Sequence, residues 1–278
     1  AGNEANRKIL PAEKPKKVLV IGGGPAGMET ARVAAIRGHN VTLYESNDRL
    51  GGQMLVASVP PHKEDISRFN KYLARQVEKV GVKVKLNHKV SAETVEEEKP
   101  DVVVIATGAR SYLPAVPGIK GSNVVTVVDL LSGRKEVGDR VIIVGAGMEG
   151  CEVAEYLAAW DKKVTILSRR EDIVEASDSE ALGINSEFVQ RLKEAGVRLE
   201  VGVEIVEITT EGVKANREGV SVFFETDTVV IARGMEPNSE MTKELDGKVS
   251  VVHQIGDCVK ARRIVDAVHE GSHVGREL

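Results

Sequence analysis

Apolar residues in this chain come in short runs that stop at glycine, and the pattern occurs twice. Val18-Leu-Val-Ile21 ends at Gly22-Gly-Gly24-Pro25-Ala26-Gly27, opens an amphipathic segment, and leads to a second run, Val41-Thr-Leu-Tyr44, that closes on Glu45. At a constant offset of 123 residues, from Gly22 to Gly145, the order repeats. Val141-Ile-Ile-Val144 meets Gly145-Ala-Gly147-Met148-Glu149-Gly150, and Val164-Thr-Ile-Leu167 closes on Ser168. A four-residue apolar run, a glycine turn, an amphipathic helix and a second apolar run describe a strand–helix–strand unit with parallel strands.

Between and beyond these units the patterning predicts further elements. Residues 1–16 are polar, with Pro11, Pro15 and several lysines, and read as a linker or extended arm. A helix is expected over Ile66 to Val80, followed by the alternation Val82-Lys-Val-Lys-Leu86 and the apolar run Val102 to Ala106. Pro114, Pro117 and Gly118 break the pattern and mark a crossing between domains. Strands follow at Val197 to Val201, Glu204 to Ile208, Val220 to Phe224 and Thr228 to Ile231, and a strand and a final helix from about residue 248. The fold class expected is α/β, with two Rossmann-like dinucleotide-binding domains, the second inserted in the first. The domains are expected at residues 1–112 plus 248–278 and at residues 113–247.

Composition narrows the function. The chain has 278 residues, 42% hydrophobic and 29% charged, enough for two cores of ordinary size. A net charge of -4 without a basic stripe argues against nucleic acid. No run approaches the roughly 18 apolar residues of a membrane span, so no membrane partner is expected. The first residues are too polar for a signal peptide. Cys151 and Cys258 are the two cysteines and form no CxxC motif. They cannot serve a thioredoxin-reductase-type relay or alone hold a four-cysteine cluster. Both read as buried and inert, in a reducing, cytoplasmic compartment.

A dinucleotide pyrophosphate must approach backbone N–H groups at a helix N-terminus more closely than a side chain allows. Gly22 and Gly145 are expected to make the tight turns, Gly24 and Gly147 to admit phosphate, and Gly27 and Gly150 to bring the helix onto its strand. Pro25 and Ala26 complete the first cradle, Met148 and Glu149 the second. The rims differ. Glu45 is a carboxylate placed to accept hydrogen bonds from ribose hydroxyls, which with an adenosine diphosphate half predicts FAD rather than FMN. Ser168, followed by Arg169 and Arg170, lacks that carboxylate and offers two guanidinium groups to a 2′-phosphate, which favours NADPH, with NADH possible. That Arg169 and Arg170 are solvated loop charges stays open.

Taken in order, Gly22 to Gly27, Asp48-Arg-Leu-Gly-Gly-Gln53, Ala106-Thr-Gly108, Gly145 to Glu152, Thr228 to Asn238 and Ile255-Gly-Asp257 resemble the two-dinucleotide-binding flavoprotein reductases. The resemblance is to the FAD and NAD(P) portion of the enoate reductase, 2,4-dienoyl-CoA reductase and trimethylamine dehydrogenase group, and it covers nearly the whole chain. It implies that Arg49, Gly52 and Gln53 line the FAD pyrophosphate and flavin side, and that Val90 meets the adenine through its backbone. Thr107 and Gly108 would let the chain pass the cofactor, and Gly234 belongs to the corresponding stretch of the second domain. Gly256 and Asp257 would hold the ribityl or phosphate portion. The helix beginning at Ile264 would point its N-terminus at the flavin pyrimidine carbonyl.

Members of that group carry a flavin-binding (β/α)8 barrel and a four-cysteine cluster before this region, and this sequence carries neither. The chain starts at Ala1, which suggests an excised module or one subunit of a larger enzyme. The function expected is a reductase module that passes a hydride from NADPH to bound FAD and electrons to an acceptor outside this chain, a flavin/iron–sulfur barrel domain or partner subunit. The alternative is a structural nucleotide-binding domain with ADP or nothing in its second site. No catalytic side chain and no metal site are expected. His269 and His273 read as a surface pair, Glu96 to Glu98 as a solvated charge run, and Arg262 and Arg263 as surface charges or a docking contact.

Overall fold

The structure, a computed structural model, describes residues 8–171, 173, 185–245 and 247–278. The first glycine signature lies between β1 (Lys17–Ile21) and α1 (Pro25–Ile36), followed by β2 (Asn40–Tyr44), α2 (Gln53–Ala57), α3 (Glu64–Lys79), β3 (Lys83–Lys85), α4 (Ala92–Glu98), β4 (Val102–Ile105) and β5 (Ala109–Ser111). Then come β6 (Val124–Thr126), α5 (Val127–Leu131), β7 (Arg140–Val144), α6 (Met148–Ala158), β8 (Lys163–Leu167), α7 (Asn185–Glu194) and β9 (Arg198–Glu200). The chain continues through β10 (Val203–Ile208), β11 (Gly212–Arg217), β12 (Val220–Glu225), β13 (Thr228–Ile231), β14 (Met235–Pro237), α8 (Glu240–Glu244), β15 (Val252–Gln254) and α9 (Ile264–Glu277).

Two compact units result, one of residues 1–58, 64–110 and 236–278, the other of residues 59–63 and 111–235. The first holds a parallel sheet in the order β15-β4-β1-β2-β3, the second a parallel sheet in the order β6-β13-β7-β8-β9. Four strands correspond in order, β4-β1-β2-β3 and β13-β7-β8-β9, while the fifth, at the edge, is the last strand of the first sheet in chain order and the first of the second; the duplicated signature marks a duplicated Rossmann-like fold, the second inserted in the first. Parallel strands covered on both faces need continuous apolar runs, and Val18 to Ile21, Val102 to Ile105 and Val141 to Val144 are buried throughout.

Each unit has its own core. In the first, β1, β2 and β4 pack on one face with Met28, Ala31, Leu73 and Val77, and on the other with Tyr44, Val90, Val95, Met241 and Leu245. Met241 and Leu245 explain why residues 236–247, which the patterning placed in the second domain, cluster with the first: their apolar side chains fill its sheet face. The second unit adds an antiparallel meander, β10-β11-β12, whose Val213 and Ala215 are buried against Val124, Val144 and Val229. Helix α9 lies so close on α1 that a methyl at Gly271 would sit 2.4 Å from the Ala26 carbonyl.

Two further expectations change. Within the polar arm, Ala12 N–H donates to the Arg37 carbonyl at 2.9 Å and Lys16 N–H to His39 Nδ1 at 3.0 Å, so residues 8–16 run against the C-terminal end of α1. Glu98 is not part of a solvated run. Its carboxylate accepts from Tyr44 Oη at 2.6 Å, Lys85 Nζ at 2.9 Å and Lys17 Nζ at 2.9 Å, which ties α4 to the sheet. Three donors spread over β1, β2 and β3 were invisible in the run of glutamates.

Those donors, the Tyr44 hydroxyl first, hold the Glu98 carboxyl down at about 2. A depressed carboxyl stabilises the fold above its unfolded value of about 4.3, and that contribution disappears as pH falls toward the folded value. Glu98→Gln should therefore melt below the parent at pH 7 and converge with it between about pH 4.5 and pH 2. Thermal melts followed by circular dichroism at stepped pH test this; a gap between the two proteins that stays constant down to pH 2.5 would contradict the assignment.

Candidate functional site

The two glycine turns have one geometry. Gly22 and Gly145 turn at φ +111° and +121°, a region closed to other residues, and a methyl on them would lie 2.2 Å from the Ala106 carbonyl and 2.0 Å from the Ala232 carbonyl. A methyl on Gly27 would lie 1.9 Å from the Gly22 carbonyl, and one on Gly150 2.1 Å from the Gly145 carbonyl. The same ladder closes each turn: Gly22 N–H donates to the Tyr44 carbonyl at 2.8 Å and Gly145 N–H to the Leu167 carbonyl at 2.9 Å.

Gly24 and Gly147 differ from their neighbours in being open. Each caps its helix in extended conformation, with φ/ψ of -74°/-177° and -73°/177°, without a side-chain capping bond. A methyl added to either would meet nothing within 4 Å. The first-turn N–H groups of α1 and α6 thus end at open surface with their partial positive charge unspent on a cap. Pro25 occupies the first helical position, where no N–H is lost, and Ala26 is buried beside it. Met148 and Glu149 take the equivalent places in the second turn, and burial together with Glu152 raises the Glu149 carboxyl. A pyrophosphate fits such an opening at each turn.

At the rims the two units part. Glu45 is buried; its Oε2 accepts from Gly23 N–H at 2.8 Å, and its Oε1 from Asn47 N–H at 2.8 Å and Asn47 Nδ2 at 2.6 Å. Ser168 is buried too, but its hydroxyl donates to the Arg170 carbonyl at 2.9 Å and accepts from Arg170 N–H at 3.2 Å. Arg169 and Arg170 are exposed beside it.

The other candidates in the first unit fall into three groups. Gly51 N–H donates to the Gly23 carbonyl at 2.8 Å, and a methyl on Gly52 would lie 3.0 Å from Gly24 Cα, so the Arg49 to Gln53 loop lies on the glycine turn. Gln53 Nε2 donates to the Ala109 carbonyl at 3.3 Å, while Arg49 is exposed and pairs with Asp48 at 3.2 Å. Thr107 Oγ1 donates to the Asn238 carbonyl at 2.8 Å and Asn238 N–H to the Gly108 carbonyl at 3.0 Å, so this loop is tied to the returning chain. Gly256, at φ +68°, packs against Ala26 and donates its N–H to Glu270 at 2.7 Å; Asp257 accepts from Arg262 N–H at 3.0 Å, and burial raises its carboxyl. Ile264 opens α9. Val90 is a core residue among Leu19, Ile21 and Tyr44. In the second unit Gly234 turns at φ +82° and its carbonyl accepts from Tyr112 N–H at 2.9 Å.

Sequence reasoning missed two features. Gly23 was given no part, although its N–H holds Glu45. Lys63 pairs with Glu152, one turn along α6 from Glu149, across 89 residues that no local pattern connects. Arg262 pairs with Glu270, Arg263 with Asp266 and His273 with Glu277, and no cluster of three metal-ligating side chains occurs among the described residues. Both cysteines are buried: burial pushes the Cys151 thiol up to about 12 and raises that of Cys258, whose Sγ lies 3.1 Å from the Ile255 carbonyl. No helix among the described residues is long and apolar enough to cross a membrane.

Comparison with known proteins places this architecture. Residues 16–271 match the profile of a family described as pyridine nucleotide-disulphide oxidoreductase. The chain is 35% identical over 271 residues to the bilirubin reductase of Mediterraneibacter gnavus, covering 97% of this chain and 42% of that protein. It is 37% identical over 277 residues to the NADH oxidase of Thermoanaerobacter brockii, covering 98% and 42%. Among solved structures, a 2-naphthoyl-CoA reductase in complex with 2-naphthoyl-CoA superposes with a TM-score of 0.90 at 34% identity, over 98% of this chain and 41% of that one. The thioredoxin reductase of Lactococcus lactis shares the fold alone, with a TM-score of 0.71 at 20% identity. The chain thus spans less than half the length of the bilirubin reductase, the NADH oxidase and the 2-naphthoyl-CoA reductase.

Two glycines of one loop should separate folding from binding. Gly27→Ala forces a methyl into the Gly22 carbonyl and should lower stability by about 1–3 kcal/mol or more. Gly24→Ala, at an allowed backbone conformation with open space around it, should leave the melting temperature in place and show its effect as weaker nucleotide retention. Thermal melts and cofactor titration distinguish them. Both thiols should resist an aromatic disulfide reagent at pH 8 until the chain is unfolded. Prompt labelling of the folded protein would contradict their burial.

Proposed function

This chain belongs to the pyridine nucleotide-disulphide oxidoreductase family, and on that premise we propose that it binds FAD in its first unit and a nicotinamide coenzyme in its second, as the flavin-reducing module of a larger reductase. The observation that carries the reading is the pair of uncapped, methyl-intolerant turns, alike in backbone and opposite in rim chemistry. When bound, the two cofactors supply the hydride chemistry, which needs no nucleophile or acid from the protein.

The chain's own residues bind and orient. Gly22 to Gly27 and Gly145 to Gly150 offer N–H groups and helix dipoles to two pyrophosphates. Glu45, kept in place by Gly23 and Asn47, accepts hydrogen bonds from an unphosphorylated ribose. Arg49, Gly52, Gln53, Thr107, Gly108, Gly256 and Asp257 carry the rest of FAD, with α9 directing its N-terminus at the flavin. In the second unit a carboxylate is missing at Ser168, and Arg169 and Arg170 lie at the exposed edge, so the rim fits NADPH in preference to NADH. Electrons leave for an acceptor outside this chain, in the part of the longer relatives that it does not span. Cys151 and Cys258 take no part, being buried and 107 positions apart.

The purified chain should be yellow, and chromatography of the heat-released cofactor should give FAD; FMN alone, or no flavin on reconstitution, would overturn the assignment. Losing one charge-assisted phosphate contact is worth roughly 1.5–3 kcal/mol, so Arg169→Ala or Arg170→Ala should cost about tenfold or more in kcat/KM for NADPH and spare NADH. An unchanged coenzyme ratio in both variants would show them to be loop charges.

A further acceptor test follows from the same reading. NADPH oxidation by the isolated chain should proceed with ferricyanide or a quinone and fail with an enoyl thioester. Rapid reduction of the thioester would place the whole catalytic centre in this chain.

A further inference from the structure

The first half of α6 carries an acid at every third position, Glu149, Glu152 and Glu155. Two of them are paired, Glu152 with Lys63 and Glu155 with Arg191 at 2.8 Å. Glu149 has no hydrogen-bond or ion-pair partner among the described residues, and it lies half-buried in the first turn, beside the opening at Gly147. The matching position of the first cradle is Ala26, and the first turn of α1 holds no acid. Among the described residues, the elements packed on α6 bring Glu149 no cation. Arg191 of α7 pairs with Glu155, Asp129 of α5 accepts from Thr126 and Arg134, and Arg140 and Lys163 lie at the amino ends of β7 and β8, away from the turn. Arg233, beyond β13, is exposed beside Gly145. Burial first, then the Glu152 carboxylate, raises the Glu149 carboxyl.

We infer that Glu149 couples coenzyme binding in the second cradle to a proton: the carboxyl takes one from solvent as a dinucleotide pyrophosphate enters and returns it as the coenzyme leaves. In the empty cradle an ionised Glu149 is the negative charge that an uncapped helix N-terminus favours. An entering pyrophosphate brings its own negative charges to the same N–H groups, where a half-buried carboxylate with no cation of its own repels it. Protonation removes that repulsion. Coenzyme affinity is then highest at low pH, falls as pH rises through the carboxyl's value in the free protein, and levels off above its higher value in the complex. FAD, in the cradle of Ala26, meets no such group in the first turn. The inference rests on the reading that the second unit takes a nicotinamide coenzyme.

The test titrates NADP+ and NAD+, which cannot reduce the flavin, into the FAD-loaded parent, Glu149→Gln and Glu149→Ala, alanine being the residue of the first cradle at this place. Calorimetry at pH 6, 7 and 8, each in two phosphate-free buffers of different ionisation enthalpy, counts the protons taken up. Subtracting the variants' uptake removes the titration of the coenzyme's own 2′-phosphate. At its maximum the parent should take up about 0.5 proton or more per coenzyme beyond either variant, and from pH 5.5 to pH 8.5 its Kd should weaken about fivefold or more beyond theirs. At pH 8.5 the variants should bind at least as tightly as the parent. Equal proton uptake in all three proteins overturns the inference while leaving the coenzyme reading intact. So does weaker binding by both variants at pH 8.5, the mark of an ionised carboxylate that accepts from the coenzyme. If the parent binds neither coenzyme, the coenzyme reading fails and the inference with it. Should neither variant melt cooperatively, infrared difference spectra of the parent decide. A protonated-carboxyl band that appears on coenzyme addition supports the uptake, and its absence overturns it.

Discussion

Everything in this molecule depends on a backbone contact that leaves no room for a methyl group. Helix α1 starts so close to the end of β1 that the Gly27 Cα faces the Gly22 carbonyl, and α6 repeats the arrangement with Gly150 and Gly145. That proximity seats Met28, Ala31 and Ala34 on the sheet, and it leaves the helix N-terminus open at the strand's carboxyl end. Packing and an open helix N-terminus are thus two consequences of one constraint. A larger residue at Gly27 damages both, whereas Gly24, with nothing near it, serves the opening alone.

Duplication made the two backbones alike and left the side chains to diverge. Hydrogen bonds that close the turns agree to within 0.1 Å between the copies, 2.8 Å for Gly22 and 2.9 Å for Gly145. Against that fixed frame the exchange of Gly23 and Glu45 for Ala146 and Ser168 stands out as a change of chemistry without a change of fold. A buried carboxylate needs a donor, and the Gly23 N–H supplies it. Ser168 needs only its own turn.

The family's description names a disulphide, yet the two cysteines of this chain are free and buried. Cys151 sits at the start of α6, where a helix N-terminus lowers a thiol pKa if the sulfur is solvated. Burial wins, and the thiol is pushed up to about 12. Position relative to a helix end predicts one direction and packing another, and packing prevails because the thiolate has no water to stabilise it.

By itself the sequence determined the fold class, the repeat, and the places of the glycine turns, because these follow from short-range rules: apolar runs make buried parallel strands, and glycine marks turns closed to side chains. It also singled out positions 45 and 168, since each ends a recognisable strand. Only the tertiary structure decided what depends on distant partners. Met241 and Leu245 joined the first unit by filling its sheet face, and β11 formed where Lys214 and Asn216 interrupt the apolar pattern, because Val213 and Ala215 are buried on one face of the strand while Lys214 and Asn216 are exposed on the other. Glu98 became a hub through Tyr44, Lys85 and Lys17, Lys63 found Glu152, and Glu45 came to rest on the Gly23 N–H. Each of these is a contact across tens of residues, and no local pattern encodes the partner.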